Sequence, residues 1–426
     1  MLPFAKLGQL LFGRPLGRLA GFAALGPDEA VLVRANLTRD LWHALLAGIF
    51  GGVIGGYLAV VGRRMGASEL LLALMLAGPY IGSLPAIFAP YLFGTEQPAR
   101  RIAIAWGFGR LAWVATPFIA APVQYAAMTL VYHFLVVIPE PAYTWLMQGA
   151  YPARLRGRLL GLGRSLLSLA ALVATMAAGL LIDAVGHRPV LAAAGVVGAL
   201  GAFAFGGMRI LKPRPRAPLP LGSLVREALS NRAFRQFVLA FNVMAAGGLV
   251  MAPAMPIVLV DRFDASFTAV GVLSLLSGLV ATVSFVVWGR IIDRWTGPAA
   301  SAVSTLTYAI SPLVFMLAIL AGHLWILLLA YAAMGFAGAG IGLGWQTSLM
   351  SMAPPEKTAP LATMFTTSIG LFGSAGPFLG GFVLLAWGPL AAFGLACTLM
   401  LLGGGLMLRM AHGFQPAIAE GQTGSP

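Results

Sequence analysis

The chain has 426 residues, 59% of them hydrophobic and 9% charged, with a formal net charge of +14 and a mean hydropathy of +0.89. A water-soluble domain carries about 25% charged residues, so these proportions exclude an ordinary aqueous globule and make the bilayer the solvent. The basic excess does not point to nucleic acid, because Lys and Arg lie in short gaps between apolar runs and not along one face. The single cysteine, Cys397, excludes an intramolecular disulfide and any cysteine-based metal or redox centre.

Residues 1–40 read as a cytoplasmic basic, amphipathic segment. Leu7, Leu10, Leu11 and Leu19 recur at helical spacing among Lys6, Arg14 and Arg18, with no small-residue cleavage site after them, which predicts a helix lying on the inner leaflet. Pro27-Asp28-Glu29 predicts the start of a second short helix, with acidic residues in its first turn.

Six apolar runs follow, near 41–61, 69–93, 102–121, 123–148, 159–182 and 189–210, each about the 20 residues that span roughly 30 Å of hydrocarbon. A cytoplasmic linker, 211–234, carries Lys212, Pro213, Arg214, Pro215, Arg216, Pro218 and Pro220. Six more runs lie near 235–260, 267–289, 299–320, 324–351, 360–386 and 389–410, and a tail covers 412–426. The runs are too long, and too free of polar alternation, for membrane strands. The expected fold is therefore all-α and integral to the membrane: twelve transmembrane helices as two six-helix bundles, 41–210 and 235–411.

Orientation follows from the gaps. With the N-terminus inside, the outer gaps keep only Arg63, Arg64, Arg188 and Arg262, and Arg110 alone stays within a span. Both termini are expected in the cytoplasm, in a multi-pass protein of the inner or plasma membrane.

Internal repetition supports two related halves. Arg64-Met65-Gly66-Ala67-Ser68, after the first span, reappears as Arg262-Phe263-Asp264-Ala265-Ser266 after the seventh. Tyr143-Thr144-Trp145-Leu146-Met147, then Tyr151-Pro152, match Trp345-Gln346-Thr347-Ser348-Leu349, then Ala353-Pro354, at a similar offset of roughly 200 residues.

Gly289-Arg290-Ile291-Ile292-Asp293-Arg294, between spans 8 and 9, resembles the Gly-x-Leu-x-Asp-Arg loop of the major facilitator superfamily of secondary transporters. The matching gap between spans 2 and 3, Phe93 to Arg101, has no Asp-Arg pair. The resemblance covers roughly residues 36–411 and implies two pseudo-symmetric bundles that alternate access to a cavity lined by spans 1, 4, 7 and 10. In span 1 it directs attention to Trp42, His43 and Tyr57, in span 7 to Asn242 and Met244, and in span 10 to Trp345, Gln346 and Thr347. Their neighbouring glycines read as helix-packing positions. Gly376-Pro377-Phe378-Leu379-Gly380-Gly381 in span 11 resembles an element of drug antiporters that belongs in span 5, and it inclines the reading toward efflux.

The loop also suggests a conformational latch. Gly289 would let two helices approach closely. Asp293, beside Arg294, would pair with Arg156 or Arg158 at the start of span 5, where the helix dipole disfavours cations, and Glu96 would face Lys357 at the start of span 11. The plainer alternative is a solvated turn holding a pair worth about 0–1 kcal/mol.

Within the spans, ionisable residues are functional candidates because hydrocarbon makes them costly. Glu140 lies between Pro139 and Pro141, two helical turns after His133 and on one face with Thr144 and Met147; Tyr143 lies beside it. Arg110 and Glu140 both lie about 13 Å deep from the same side, so an Arg110–Glu140 pair is expected. It would serve as a structural lock or as a substrate or proton site; a neutral Glu140 facing lipid is the third alternative.

No phosphate-binding loop for ATP is present, the five histidines lack metal spacing, and the few carboxylates in the spans form no acid–base pair. The chain is expected to be no enzyme and to need no cofactor. The expected function is secondary transport of a small, relatively apolar solute by alternating access, with protons as candidate coupling ions and a monomer as the working unit. The alternative is a transporter-like receptor or assembly factor without flux.

Overall fold

A computed structural model describes residues 25–93, 97–211, 221–292, 294–352 and 355–412. The described residues are helical almost throughout and include no strand, as hydrocarbon requires of a chain that must satisfy its own backbone. The leaflet helix expected within residues 1–24 lies outside them.

Helix α1 (Pro27–Arg64) begins with Pro27 and carries Asp28 and Glu29 in its first turn, where the dipole favours acids. It is 38 residues long, so the separate short helix expected at Pro27 is the beginning of span 1 itself. No Gly or Pro interrupts residues 28–41, and nothing in that stretch breaks the helix.

Span 2 is α2 (Glu69–Ser83), whose Ser68 hydroxyl accepts from the Leu71 amide at 3.3 Å, with a 3-10 stretch Leu84–Phe88 and a short helix Ala89–Phe93 after it. Span 3 is α3 (Pro98–Leu111) continued as 3-10 helix through Phe118. Span 4 is divided into α4 (Pro122–Val137) and α5 (Glu140–Ala150), because Pro139 and Pro141 each withhold a backbone donor. Then come α6 (Ala153–Val185) and α7 (His187–Phe205), which turn over at Gly186 with φ 84.

The second half starts with α8 (Leu221–Ser230), a helix inside the expected linker. Asn231 caps α9 (Arg232–Met251) by accepting from the Phe234 amide at 3.0 Å, and the span ends in a π turn, Val258–Arg262. Next are α10 (Phe267–Ile292), α11 (Gly297–Tyr308), α12 (Ile310–Ala321) and α13 (Leu327–Met352). The last helical stretch, α14 (Pro355–His412), has 58 residues and breaks at Gly388, where φ is 78 and ψ −178. At 1.5 Å per residue an unbroken helix of this length would reach about 87 Å, far beyond a bilayer, so α14 holds both of the last two predicted runs.

Ten helical stretches among the described residues are long and apolar enough to cross a membrane. Dividing the last at Gly388 and adding span 3, whose arginines lower its hydropathy, accounts for all twelve apolar runs.

The chain forms two compact units, residues 1–58 with 85–216 and residues 59–84 with 217–426. They differ from the expected bundles at 59–84, which joins the second unit. The reason is local: α2 fits against the Gly381 region of α14, where an added Cβ would meet Ala73 Cβ at 3.1 Å, and Arg63 and Arg64 bond to residues 261–265.

In the first unit, Gly48, Gly52 and Gly56 of α1 seat Leu167, Ala171 and Thr175 of α6, and a Cβ on Gly52 would strike the Ala171 carbonyl oxygen. Two i,i+4 rows therefore mesh at backbone distance, fastened by Thr175 Oγ1 to the Gly52 carbonyl at 2.9 Å and Tyr57 Oη to the Thr175 carbonyl at 2.7 Å. The second unit uses the same device. A Cβ on Gly376 would lie 2.6 Å from Leu249 Cβ, and one on Gly380 would strike the Val250 carbonyl oxygen. The element that suggested efflux is thus a seat for α9.

Candidate functional site

A cavity of about 170 Å³ opens within the first unit, bordered by α1, α3, α4, α5 and α6. Its wall gathers Asp40, His43, Arg110, Tyr132, Glu140 and Arg164, an unusual density of ionisable groups for a chain with so few.

Arg110 is 6% exposed. Its Nη1 donates to the Gly198 carbonyl at 3.0 Å, and the guanidinium carbon lies 5.6 Å from the Phe50 ring centre and 5.5 Å from that of Trp106. Nε is closed off from solvent with no partner. The expected ion pair with Glu140 does not form, since none of the three ion pairs among the described residues includes either group. The division of span 4 explains this. Glu140 opens α5 as its first residue and stands exposed at the cavity wall, while the carbonyl and the two aromatic faces hold the guanidinium against α7 and α3.

The same division separates His133 from Glu140. Tyr132, Val136, Glu140 and Tyr143 line the cavity; His133 does not, and its ring lies 4.8 Å from that of Tyr132. Seven residues keep one face only along an unbroken helix. Thr144 turns its hydroxyl back to the Glu140 carbonyl at 3.1 Å, and Met147 is buried in the apolar core.

His43 and Asp40 complete the wall. His43 Nδ1 lies 3.1 Å from the Gly201 carbonyl, and since a carbonyl only accepts, Nδ1 carries a proton and donates there. Its ring stacks on Trp106 at 5.0 Å with 13° between planes. Asp40 is 4% exposed and accepts from Tyr151 Oη at 3.0 Å. The sequence reading passed over Asp40 and Arg164. The spacing of Asp40 and His43 at i,i+3 would have put both on one helical face.

The second unit has its own cavity, about 420 Å³, whose wall includes Tyr80, Phe241, Asn242, Tyr308 and Phe372. Asn242 Nδ2 donates to the Val238 carbonyl at 2.8 Å and to Ser368 Oγ at 3.2 Å. Trp345 is not at this wall: it stacks on Phe365 at 5.2 Å and packs into the apolar core. The Gln346 side chain lies outside the described residues.

The expected latch meets the same boundary. Asp293, Glu96 and the Lys357 side chain lie outside the described residues. Arg156 Nη2 instead caps the end of α5, donating to the Gln148 carbonyl at 2.7 Å and the Tyr151 carbonyl at 3.4 Å, as a cation at a helix C-terminus should. Arg158 and Arg294 are exposed. An added Cβ on Gly289 meets nothing within 4 Å among the described residues, so none of those makes the close helix approach expected there.

Three ion pairs between described residues lie in the second unit. Arg63 binds Asp261 and Glu69, and Arg64 reaches Asp264 Oδ1 at 3.4 Å and the Ala265 carbonyl at 2.7 Å. These residues belong to the repeated turn. Gly66 and Asp264, its equivalent positions, both have positive φ, 89 and 40, and Ser68 and Ser266 both accept from the amide three residues on.

The sequence profile of the Major Facilitator Superfamily matches residues 233–422. No curated protein matches the chain by sequence. Among solved structures, the nucleoside transporter NupG is 12% identical, with a TM-score of 0.67 over 88% of this chain and 100% of its own. An auto-inhibited peptide transporter of the POT family is 13% identical, with a TM-score of 0.65 over 89% and 97%. The xylose transporter XylE from E. coli is 12% identical, with a TM-score of 0.62 over 89% and 98%.

Proposed function

We propose that the chain is a member of the major facilitator superfamily, whose profile matches residues 233–422, and that it is a secondary transporter moving a small, relatively apolar solute by alternating access, with Glu140 as its proton carrier. The cavity of the first unit supports this reading: it places a carboxylate, a buried guanidinium and an imidazole on one aromatic wall. A polar cluster of this kind is expensive in hydrocarbon and is retained where it handles a solute or a proton.

Glu140 is the cavity carboxylate exposed at the wall, whereas Asp40 is buried and engaged by Tyr151. The groups that face Glu140 across the cavity are Arg110 and Arg164, with Asp40, His43, Tyr132 and Tyr143 completing the wall. Protonating Glu140 frees those cations from its field, and ionising it restores that field. Occupancy by solute and by proton are thereby coupled energetically. The membrane sidedness set by the basic gaps, with both termini inside, belongs to the same proposal. The Gly376–Gly381 element, being a packing seat, lends no support to efflux.

Reconstitution into proteoliposomes tests the proposal. Solute flux driven by a pH gradient should be lost in Glu140→Gln while solute-for-solute exchange persists. Gradient-driven flux at the wild-type rate in the variant would remove Glu140 from the mechanism. A folded protein that exchanges no solute would instead favour a receptor.

A further inference from the structure

Arg110 is a buried cation that makes no ion pair with any described residue. It is 94% buried, counted from its 6% exposure. Only Nη1 has a hydrogen bond among the described residues, Nε is shut away with no partner, and no carboxylate of a described residue lies within the 4.0 Å of an ion pair. A guanidinium in such a place normally has an anion. Asp40 accepts from Tyr151 Oη, and Glu140, on the same cavity wall, makes no ion pair with Arg110.

The rest of the wall describes what the anion must carry. Trp106 stacks with His43, and Tyr143 packs against Trp106 at 5.3 Å. Phe50 packs against Tyr132 at 5.4 Å. Such faces take an apolar, preferably flat, body. The space, about 170 Å³, suits a small molecule. The wall sets two carboxylates, Asp40 and Glu140, against two guanidiniums, Arg110 and Arg164, so it has no net positive charge to hold a second negative charge; a dianion such as phosphate is disfavoured and a monoanion is admitted.

We propose that this cavity binds a small apolar or aromatic monocarboxylate, its carboxylate docking on Arg110 and its body on the Trp106–His43–Tyr143 wall. The proposal rests on the transporter reading for its purpose but not for its test, because binding is measured without flux. Docking brings Arg110 round so that Nε and Nη2 share the two carboxylate oxygens, which satisfies the donor now shut away. Glu140 then competes with the ligand for the same positive field.

Benzoate and its neutral isostere benzamide are the probes, used on the purified full-length protein by thermal shift and calorimetry. Benzoate should bind at least 10-fold more tightly than benzamide. Glu140→Gln should tighten benzoate several-fold, and Arg110→Lys should weaken it while keeping the preference over benzamide. Equal binding of the two probes, no benzoate binding, or unchanged benzoate affinity in Glu140→Gln would each overturn the proposal. Arg110→Gln should lose benzoate altogether; if that variant does not fold, the Glu140→Gln tightening and the Arg110→Lys preference still decide. Labelled benzoate in proteoliposomes separates the two readings. Binding without movement keeps the anion site and removes transport of this solute, whereas movement that ignores Arg110→Lys keeps transport and removes the site.

Discussion

Arg63 grips Asp261 side-on: Nε donates to Oδ1 and Oδ2 at 3.0 Å each, Nη2 donates to Oδ2, and Nη1 turns to the Ala67 carbonyl at 2.8 Å. Both side chains are partly exposed, 20% and 41%, so solvent screens the pair despite its forked geometry. A double-mutant cycle with Arg63→Gln and Asp261→Asn should give a coupling of about 1 kcal/mol in thermal unfolding, shrinking at high salt. A coupling that salt does not touch would contradict a surface pair.

Asp264 sits at φ 40 and Gly66, its counterpart, at φ 89. Side chains with a Cβ are strained there, and the Arg64 pair at 3.4 Å reaches an Asp264 side chain that is 91% exposed. Asp264→Gly should therefore be neutral or stabilising by up to about 1 kcal/mol, and Gly66→Ala destabilising by about 1 kcal/mol, both read from thermal midpoints. A clear loss of stability in Asp264→Gly would show that the ion pair outweighs the strain.

Gly52 and Gly55 differ by less than a helical turn and should respond oppositely. A Cβ at Gly52 strikes the Ala171 carbonyl, whereas one at Gly55 meets nothing within 4 Å among the described residues. Gly52→Ala should cost about 1–3 kcal/mol through forced separation of α1 and α6, with Gly55→Ala close to wild type. The same comparison applies in the second unit to Gly380→Ala, which should be damaging, and Gly289→Ala, which should not.

Tyr151→Phe removes the hydroxyl that donates to Asp40 at 3.0 Å. Leaving a buried acceptor unpaired costs about 1–3 kcal/mol, so the variant should melt earlier, and Asp40→Asn combined with Tyr151→Phe should recover part of the loss. No recovery would mean that Tyr151 acts through packing alone.

The fold was legible because hydrocarbon imposes run length and helical pairing directly on composition, and the Lys and Arg gather in alternate gaps between the runs. Packing seats such as Gly48, Gly52 and Gly56 were also readable, since small residues every fourth position have one main use in a membrane. The site was harder. Glu140 and Arg110 were recognisable as ionisable groups out of place, but a common depth does not make a pair: Arg110 donates to the Gly198 carbonyl and lies against Phe50 and Trp106 while Glu140 stands across the cavity. Asp40 escaped because the apolar run was taken to begin at residue 41, whereas α1 begins at Pro27.

The turn after the first span and the turn after the seventh are copies of one another, and Arg63 and Asp261, 198 residues apart, occupy the same place in each. Had the copies stayed identical, that place would hold one residue facing its own duplicate, two arginines or two aspartates at bonding distance, which repel. Opposite charges there require two copies that differ. The clasp therefore needs both sequences, and a symmetric dimer of either half alone could not reproduce it.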